Sequence, residues 1–314
     1  MSYSIDIISI EKGNRYWQEL KLARRIRYER KADINGCCIK LMTDQIASTN
    51  TFDENFFHLS ERIRSHGRIL VFDNPNIKSF LVEYEPLSRS AFLWNSDYYG
   101  YVKSMALAVA GDILEDVHRF YSVHGACIDY KGEGLALVGA SGAGKTTLSL
   151  GILMEKRARI ISDDWFYVRF QGGEAVAMSS EKNVYMREIE EDFGALKSLR
   201  DRASFDNNKR AVVNLKNAFS GAKIRDRTTL TNFMFLKRDP KDKSLIRAVE
   251  ADEMISYMVE NNFFNPHLLV RDERKQRLRK RFLKHLFKKV NLYVINTIAT
   301  PKKTVDLLLK TINE

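Results

Sequence analysis

Residues 122–147, SVHGACIDYKGEGLALVGASGAGKTT, followed at 158–165 by ARIISDDW, decide how the second part of this chain folds. SVHGACIDY and LALVG are apolar runs joined by Lys131-Gly132-Glu133-Gly134, a turn of the kind that closes a hairpin. The second run ends at Gly139, and a helix is expected from about Lys145. ARIIS then reads as a short strand that stops at Asp163-Asp164. Further strands are expected at 165–170, 230–236 and 291–297, with helices at 251–261, 271–289 and 302–312. Strands alternating with helices imply an α/β architecture.

Within this stretch, Gly139-Ala140-Ser141-Gly142-Ala143-Gly144-Lys145-Thr146-Thr147 matches G-x-x-x-x-G-K-[ST] in full. Gly139, Gly142 and Gly144 let the backbone turn successive N–H groups inward and leave room for phosphate oxygens. The helix that follows adds free N–H groups and a positive dipole end. Lys145 can reach the outer phosphates of a nucleotide, and the Thr146 hydroxyl suits a magnesium ion. An apolar strand before the loop and a helix after it supply the context that a chance match lacks. The expectation is a phosphate-binding loop (P-loop) that takes ATP with Mg2+.

Asp163 and Asp164 lie 18 and 19 residues beyond Lys145, at a strand's end. That distance leaves room for a short helix and a return strand, which brings both carboxylates beside the phosphates. Phosphoryl transfer uses one carboxylate to hold the metal and, in kinases, another to accept the proton of the attacking hydroxyl. Neighbouring side chains at a strand's end point in different directions, so the pair can divide these roles. The bland alternative is a solvated turn with one aspartate capping the next segment. His124, taken alone, is a single histidine on a strand, more often structural than catalytic. His58, His66, His118, His267 and His285 lack even that context and are read as structural.

Outward from the motif, Val102, Met105, Val109, Ile113, Val117 and Phe120 keep a helical period through residues 101–121. Upstream, INGCCIKLMT, RILVFD and KSFLVEY read as strands, with Asn74-Pro75-Asn76 as turn material. The expected organisation is a smaller α+β N-terminal domain at 1–105 and a P-loop domain at 106–314. The chain of 314 residues, 44% hydrophobic and 29% charged, can fill one large core or two ordinary ones. Its three cysteines, Cys37, Cys38 and Cys127, lack metal-ligand spacing, and an odd count argues against a disulfide framework. No run approaches the roughly 18 apolar residues of a membrane span, and the N-terminus lacks a signal-peptide stretch. A cytoplasmic setting with no membrane partner is expected.

The net charge of +11 is concentrated: Arg271 to Lys289 carries ten Lys/Arg against Asp272 and Glu273. Leu278, Phe282, Leu286 and Val290 recur every fourth position there, as in a helix docked on a core. The exposed side of such a helix is either a solvated basic face or a surface that meets nucleic acid, an anionic surface or an acidic protein. Nucleic acid is not the expected partner, and self-association is left open.

HGACIDYKGEGLALVGASGAGKTTLSL followed by RIISDDW resembles the kinase domain of HPr kinase/phosphorylase over roughly residues 122–170. His-Gly, Asp129 at the hairpin, Gly132-x-Gly134 and then the loop come in that family's order, with His124 15 residues before Gly139. GKTTLS is also similar to phosphoenolpyruvate carboxykinase, a related nucleotide fold with the same aspartate pair. The resemblance implies an HPr kinase-like P-loop domain with a compact α/β core, not a doubly wound GTPase-type sheet. It implies that Lys145 and Thr146 hold the triphosphate and its metal. One of Asp163 and Asp164 would be the base, with His124 beside it, and the other a metal ligand. The assignment favoured at this stage is Asp163 as base and Asp164 with Thr146 on the metal. The family's glycine-rich signature (of the form E-I-R-G-L-G-I) is missing downstream. The nearest cluster, Glu181-Lys182 through Arg187-Glu188, is a poor match. Arg187, Lys209 and Arg210 are further basic residues that could face phosphates.

The leading expectation is a kinase that moves the terminal phosphoryl group of ATP to a hydroxyl, on a protein or peptide serine or on a small metabolite. A carboxykinase-like enzyme is a second reading, and a nucleotide-gated regulatory ATPase with a basic partner-binding helix is a third. No N-K-x-D guanine motif or L-S-G-G-Q segment follows the loop, which disfavours a GTPase and a transporter ATPase.

Overall fold

The computed structural model describes residues 4–186, 204–205, 211–214, 223–264, 266, 269 and 272–313. Residues 4–120 belong to one unit, and 121–186, 223–264 and 273–313 to a second. Both are mixed α/β, each built on a large sheet.

The first unit's strands are β1 (Ile5–Ile7), β2 (Tyr28–Ile34), β3 (Cys37–Thr43), β4 (Phe57–His58), β5 (Gly67–Phe72), β6 (Leu81–Glu85) and β7 (Ser90–Trp94). They lie in the order β1-β6-β7-β5-β3-β2-β4. Ile34 pairs with Cys37 across Asn35-Gly36, whose φ angles of 53° and 82° make the tight turn that asparagine-glycine favours. The strand expected from residue 34 is therefore the second arm of a hairpin whose first arm begins at Tyr28. Helix α1 (Ile10–Leu22) starts where the Ser9 side chain accepts from the Lys12 N–H. Helix α2 (Ile46–Asn55) has no side-chain cap, and the sequence reading anticipated neither helix.

Helix α3 (Tyr99–Ile113) is the element expected at 101–121, and it differs in two ways. Every residue from Val102 to Ile113 is buried, so α3 has no wet face. It gives way to a π-helical turn at Leu114–His118 and stops at Arg119, a residue with a left-handed φ of 57°. The polar Asp112 is accommodated by the Tyr84 hydroxyl, which donates to it at 3.1 Å. The division expected at residues 105/106 falls inside this helix. The two units divide instead between Phe120 and Tyr121.

The second unit's strands β8 (Tyr121–His124), β9 (Ala126–Tyr130), β10 (Glu133–Gly139), β11 (Ala158–Ser162), β12 (Trp165–Gln171) and β13 (Glu174–Ser179) are followed by β14 (Asn183–Met186), β15 (Ser204–Phe205) and β16 (Ala211–Asn214). Then come β17 (Arg227–Lys237), β18 (Ile246–Ala248) and β19 (Asn291–Asn296). The large sheet runs β11-β9-β10-β17-β13-β12-β8, with β19 against β17 and β18 against β19. β14, β15 and β16 form a small sheet of their own. Strand β17 belongs to both halves of the large one. Its start pairs with β13, and from Leu230 onward it pairs in parallel with β10 and then β19.

Alternation along β10 sorts its side chains onto two cores. Leu135 and Leu137 meet helices α4 (Lys145–Leu153) and, near the C-terminus, α7 (Pro301–Asn313). Ala136 and Val138 face the opposite core, with Phe166 and Val168 of β12 and helices α5 (Ala251–Glu260) and α6 (Glu273–Phe287). The expected helices at 251–261 and 302–312 correspond to α5 and α7. Of the one expected at 271–289, residue 271 lies outside the described residues. The parallel strands β10, β17 and β19 end together, so Gly139, Lys237 and Asn296 share one edge. In sheets of this kind ligands bind at that edge.

The three cysteines are buried and unpaired. Burial pushes the Cys37 thiol up to about 12, and burial also raises those of Cys38 and Cys127. A thiolate is the reactive form, so the native protein should resist a thiol reagent such as Ellman's at neutral pH and titrate three thiols only in denaturant. Rapid labelling of the native protein would show that these sites open.

Candidate active site

Strands β8 and β9 lie in opposite halves of the sheet and are joined by Gly125 alone. Strands β11 and β12 cross between the same halves through Asp163-Asp164 alone. Ser162 lies opposite Cys127 and Trp165 opposite His124, so the two crossings keep one antiparallel register through the bend. The Gly125 N–H donates to the Asp164 carbonyl at 3.0 Å and ties one corner to the other. Only glycine fits at 125, because a Cβ there would lie 2.6 Å from the Leu137 carbonyl oxygen. This accounts for the His-Gly pair in the sequence. The second corner is pinned through the Trp165 carbonyl, which accepts from the Ser162 hydroxyl at 2.5 Å and from the Ser180 hydroxyl.

The bend sends the adjacent carboxylates to different neighbours. Asp163 is 2% exposed and accepts from Thr146 Oγ1 at 3.2 Å and Ser149 Oγ at 3.3 Å. Asp164 stays half-buried, with Oδ1 3.2 Å from His124 Nε2. The His124 ring is stacked near Trp165, centroids 5.7 Å apart, and meets Phe263 edge-on at 5.6 Å. Backbone pairing to Trp165 fixes its position along the strand. The sequence reading set His124 beside Asp163 and joined Asp164 to Thr146, and the structure pairs them the other way round. The reason is alternation: the side chain of Asp163 faces α4, and that of Asp164 faces β8.

The glycine loop leaves β10 at Gly139 and enters α4 at Lys145. Gly142 and Gly144 take φ values of 84° and 92°, in the left-handed region that disfavours any side chain. Ala140, Ser141 and Gly142 are exposed, while Ala143 is buried and its N–H donates to the Ala140 carbonyl at 3.1 Å. Lys145 Nζ arches back to the carbonyl oxygens of Gly139 and Ala140, at 2.7 and 3.3 Å. Thr146 and Thr147 sit half-buried in the first turn of α4. The loop thus places Lys145, Thr146, Asp163, Asp164 and His124 within one neighbourhood at the sheet edge.

Magnesium prefers hard oxygen donors and keeps several of its ligands as water and phosphate. The Thr146 hydroxyl beside the Asp163 carboxylate offers that kind of donor set, and the fit is good. Among the described residues no cluster of three or more His, Cys, Asp or Glu forms a metal cage. No helix searched is long and apolar enough to cross a membrane.

Several supporting residues went unnoticed in the sequence. Ser149 stands three positions after Thr146, on the same helix face, a spacing that could have flagged it. Arg279 is wholly buried and donates to the Ser122 and Phe264 carbonyls at 2.9 and 2.8 Å. It thereby joins the strand and the turn that clasp His124. Its signal was its place in the apolar stripe of α6, beside Leu278 and Phe282. Glu181 is buried, whereas Arg187, Glu188, Lys209 and Arg210 lie outside the described residues, as does His267. His66 Nδ1 accepts from the Cys38 N–H at 2.8 Å, whereas His58, His118 and His285 are exposed.

Asp129, although part of the motif, is fully buried and anchors the hairpin. It accepts from Arg225 and Thr228, both at 2.7 Å, and from the Gly132 N–H at 3.3 Å. Asp129→Ala leaves the buried Thr228 hydroxyl without this acceptor, and should cost about 2–3 kcal/mol in urea unfolding. An unchanged midpoint would exclude this anchoring role.

No protein-family model matches the sequence. Among curated proteins, the phosphoenolpyruvate carboxykinase (ATP) of Aeropyrum pernix is 29% identical over 128 residues. The match covers 37% of this chain and 26% of that relative, so this chain spans about a quarter of the relative's length. Among solved structures, the Hpr(Ser) kinase/phosphatase of Coxiella burnetii aligns over 61% of this chain and 95% of that one. Its identity is 11% and its TM-score 0.36.

Proposed function

We propose that the second unit binds ATP with magnesium and transfers the terminal phosphoryl group to a hydroxyl. The observation that carries this reading is the divided aspartate pair: Asp163 on Thr146 in the first turn of the loop helix, and Asp164 on His124. Backbone N–H groups of the loop and of the first turn of α4 cradle the phosphates, and Lys145 swings from its carbonyl contacts to the outer ones. Thr146 and Asp163 hold the magnesium, which when bound neutralises charge on the phosphate oxygens. Asp164 takes the proton of the acceptor hydroxyl as its oxygen bonds to the terminal phosphorus. The bond from that phosphorus to the bridging oxygen breaks, and ADP leaves. His124, clamped by two rings, holds Asp164 in place and carries part of the proton's charge.

A carboxykinase-like reaction is the second reading, favoured by the partial likeness to the Aeropyrum pernix enzyme. The two readings differ in the acceptor, so product analysis separates them. Incubated with labelled ATP and fractionated extract, a hydroxyl kinase forms one phosphorylated product per ADP and little free phosphate. ADP and free phosphate in equal yield under every condition would rule out transfer. Label in phosphoenolpyruvate would favour the carboxykinase. His124→Asn should lower turnover on the order of 10²-fold with ATP affinity intact, as expected of lost acid–base support. Lys145→Ala should weaken ATP binding in calorimetry by about 2–3 kcal/mol.

A further inference from the structure

Helix α6 begins beside the candidate site and runs away from it. Midway along it, Arg279 reaches the Ser122 carbonyl, two residues before His124. One turn on, Phe282 stacks on Tyr121 at 4.3 Å, and then His285 meets Phe170 at 4.3 Å. Past the helix end, Lys289 donates to the Gly173 carbonyl at the tip of the β12–β13 hairpin. The buried side of α6 is thus laid along β8 and β12, with its amino-terminal turns at the His124 end.

The outer side is exposed and cationic. Arg274, Arg277, Lys280, Arg281, Lys284 and Lys288 all face solvent. Four of them, at 274, 277, 281 and 284, follow the three-four spacing that keeps residues on one helix face. At 1.5 Å per residue that row is about 15 Å long. The only acid within the helix is Glu273, which pairs with Arg277 at 3.0 Å while both side chains remain mostly exposed. A solvent-exposed pair of this kind is weak, so it does not cancel the row.

We propose that this face docks an acidic stretch of polypeptide belonging to the phosphoryl acceptor, so that a hydroxyl at one end of the stretch arrives at Asp164. The inference rests on the phosphotransfer reading and narrows its substrate to a peptide or protein. A row about 15 Å long is longer than a small hydroxylated metabolite can engage. Guanidinium forks match carboxylates two oxygens at a time. A single-stranded nucleic acid would also need aromatic faces on which its bases stack. The exposed positions of α6 offer none, since the ring of His285 is turned against Phe170.

The test uses the whole chain and two fluorescent probes of equal charge, a glutamate-serine repeat peptide and single-stranded oligothymidylate. Anisotropy is measured without nucleotide, for the natural chain and for a triple variant, R277E/R281E/K284E. The exposed sites should leave folding intact, checked by circular dichroism and ATP calorimetry. The account expects the peptide to bind, to weaken at least about tenfold in the triple variant, and to weaken with salt. It also expects ATP to phosphorylate the peptide's serines, more slowly in the variant. Tighter binding of oligothymidylate than of peptide would overturn the proposal in favour of a nucleic-acid surface. Peptide binding that is absent, or equal in both proteins, would overturn it in favour of a solvated face. Because the anisotropy arm contains no nucleotide, failure of ATP to bind would count against the phosphotransfer reading alone.

Discussion

One hydrogen bond, from the Gly125 N–H to the Asp164 carbonyl at 3.0 Å, joins two corners at which the chain changes sides in the second unit. Around it Ser162 opposite Cys127 and Trp165 opposite His124 share one register, just past an irregularity in β11 between Ile160 and Ser162. Everything proposed for the site follows from that geometry. Asp163 is directed to the start of α4 and Asp164 to β8, although they are neighbours in sequence. A side chain at 125 would push this corner away from β10 through its clash with the Leu137 carbonyl.

Burial then differentiates two chemically identical groups. Asp163 lies at the amino-terminal turn of α4, where hydroxyl donors and the helix dipole both favour a carboxylate. Such a buried group is held fixed and is suited to keeping a metal in place. Asp164 is more open and touches an imidazole, which is able to accept or return charge. The aromatic clamp of Trp165 and Phe263, with Arg279 behind it, restricts the imidazole to a narrow range of positions. Preorganisation of this kind lowers the cost of aligning groups at the moment of reaction.

Local patterns were legible in the sequence, and long-range ones were not. The hairpin before the loop, the loop itself and the helix after it follow from turn residues and apolar runs a few positions apart. The burial of α3 on every side did not show, because a period of apolar residues says where one face lies and not what covers the others. Lys103, Ser104 and Asp112, polar positions of that helix, are buried with the rest. The Asn35-Gly36 turn was readable and went unread, since the strand was begun at its own turn. The pairing of His124 with Asp164 depends on the register of β8 against β12, which no local motif encodes. Arg279 was hidden by its composition, a buried arginine in a helix whose other basic residues mostly face water.

The division of labour between the aspartates is the central claim, and manganese offers a direct reading of it. Electron paramagnetic resonance of Mn2+ in the presence of ATP measures how much metal the protein holds. With Asp163→Asn the bound signal should fall, with affinity reduced about tenfold or more. With Asp164→Asn the metal should bind as in the natural protein even though turnover is lost. Metal binding that survives Asp163→Asn and fails in Asp164→Asn would contradict the account.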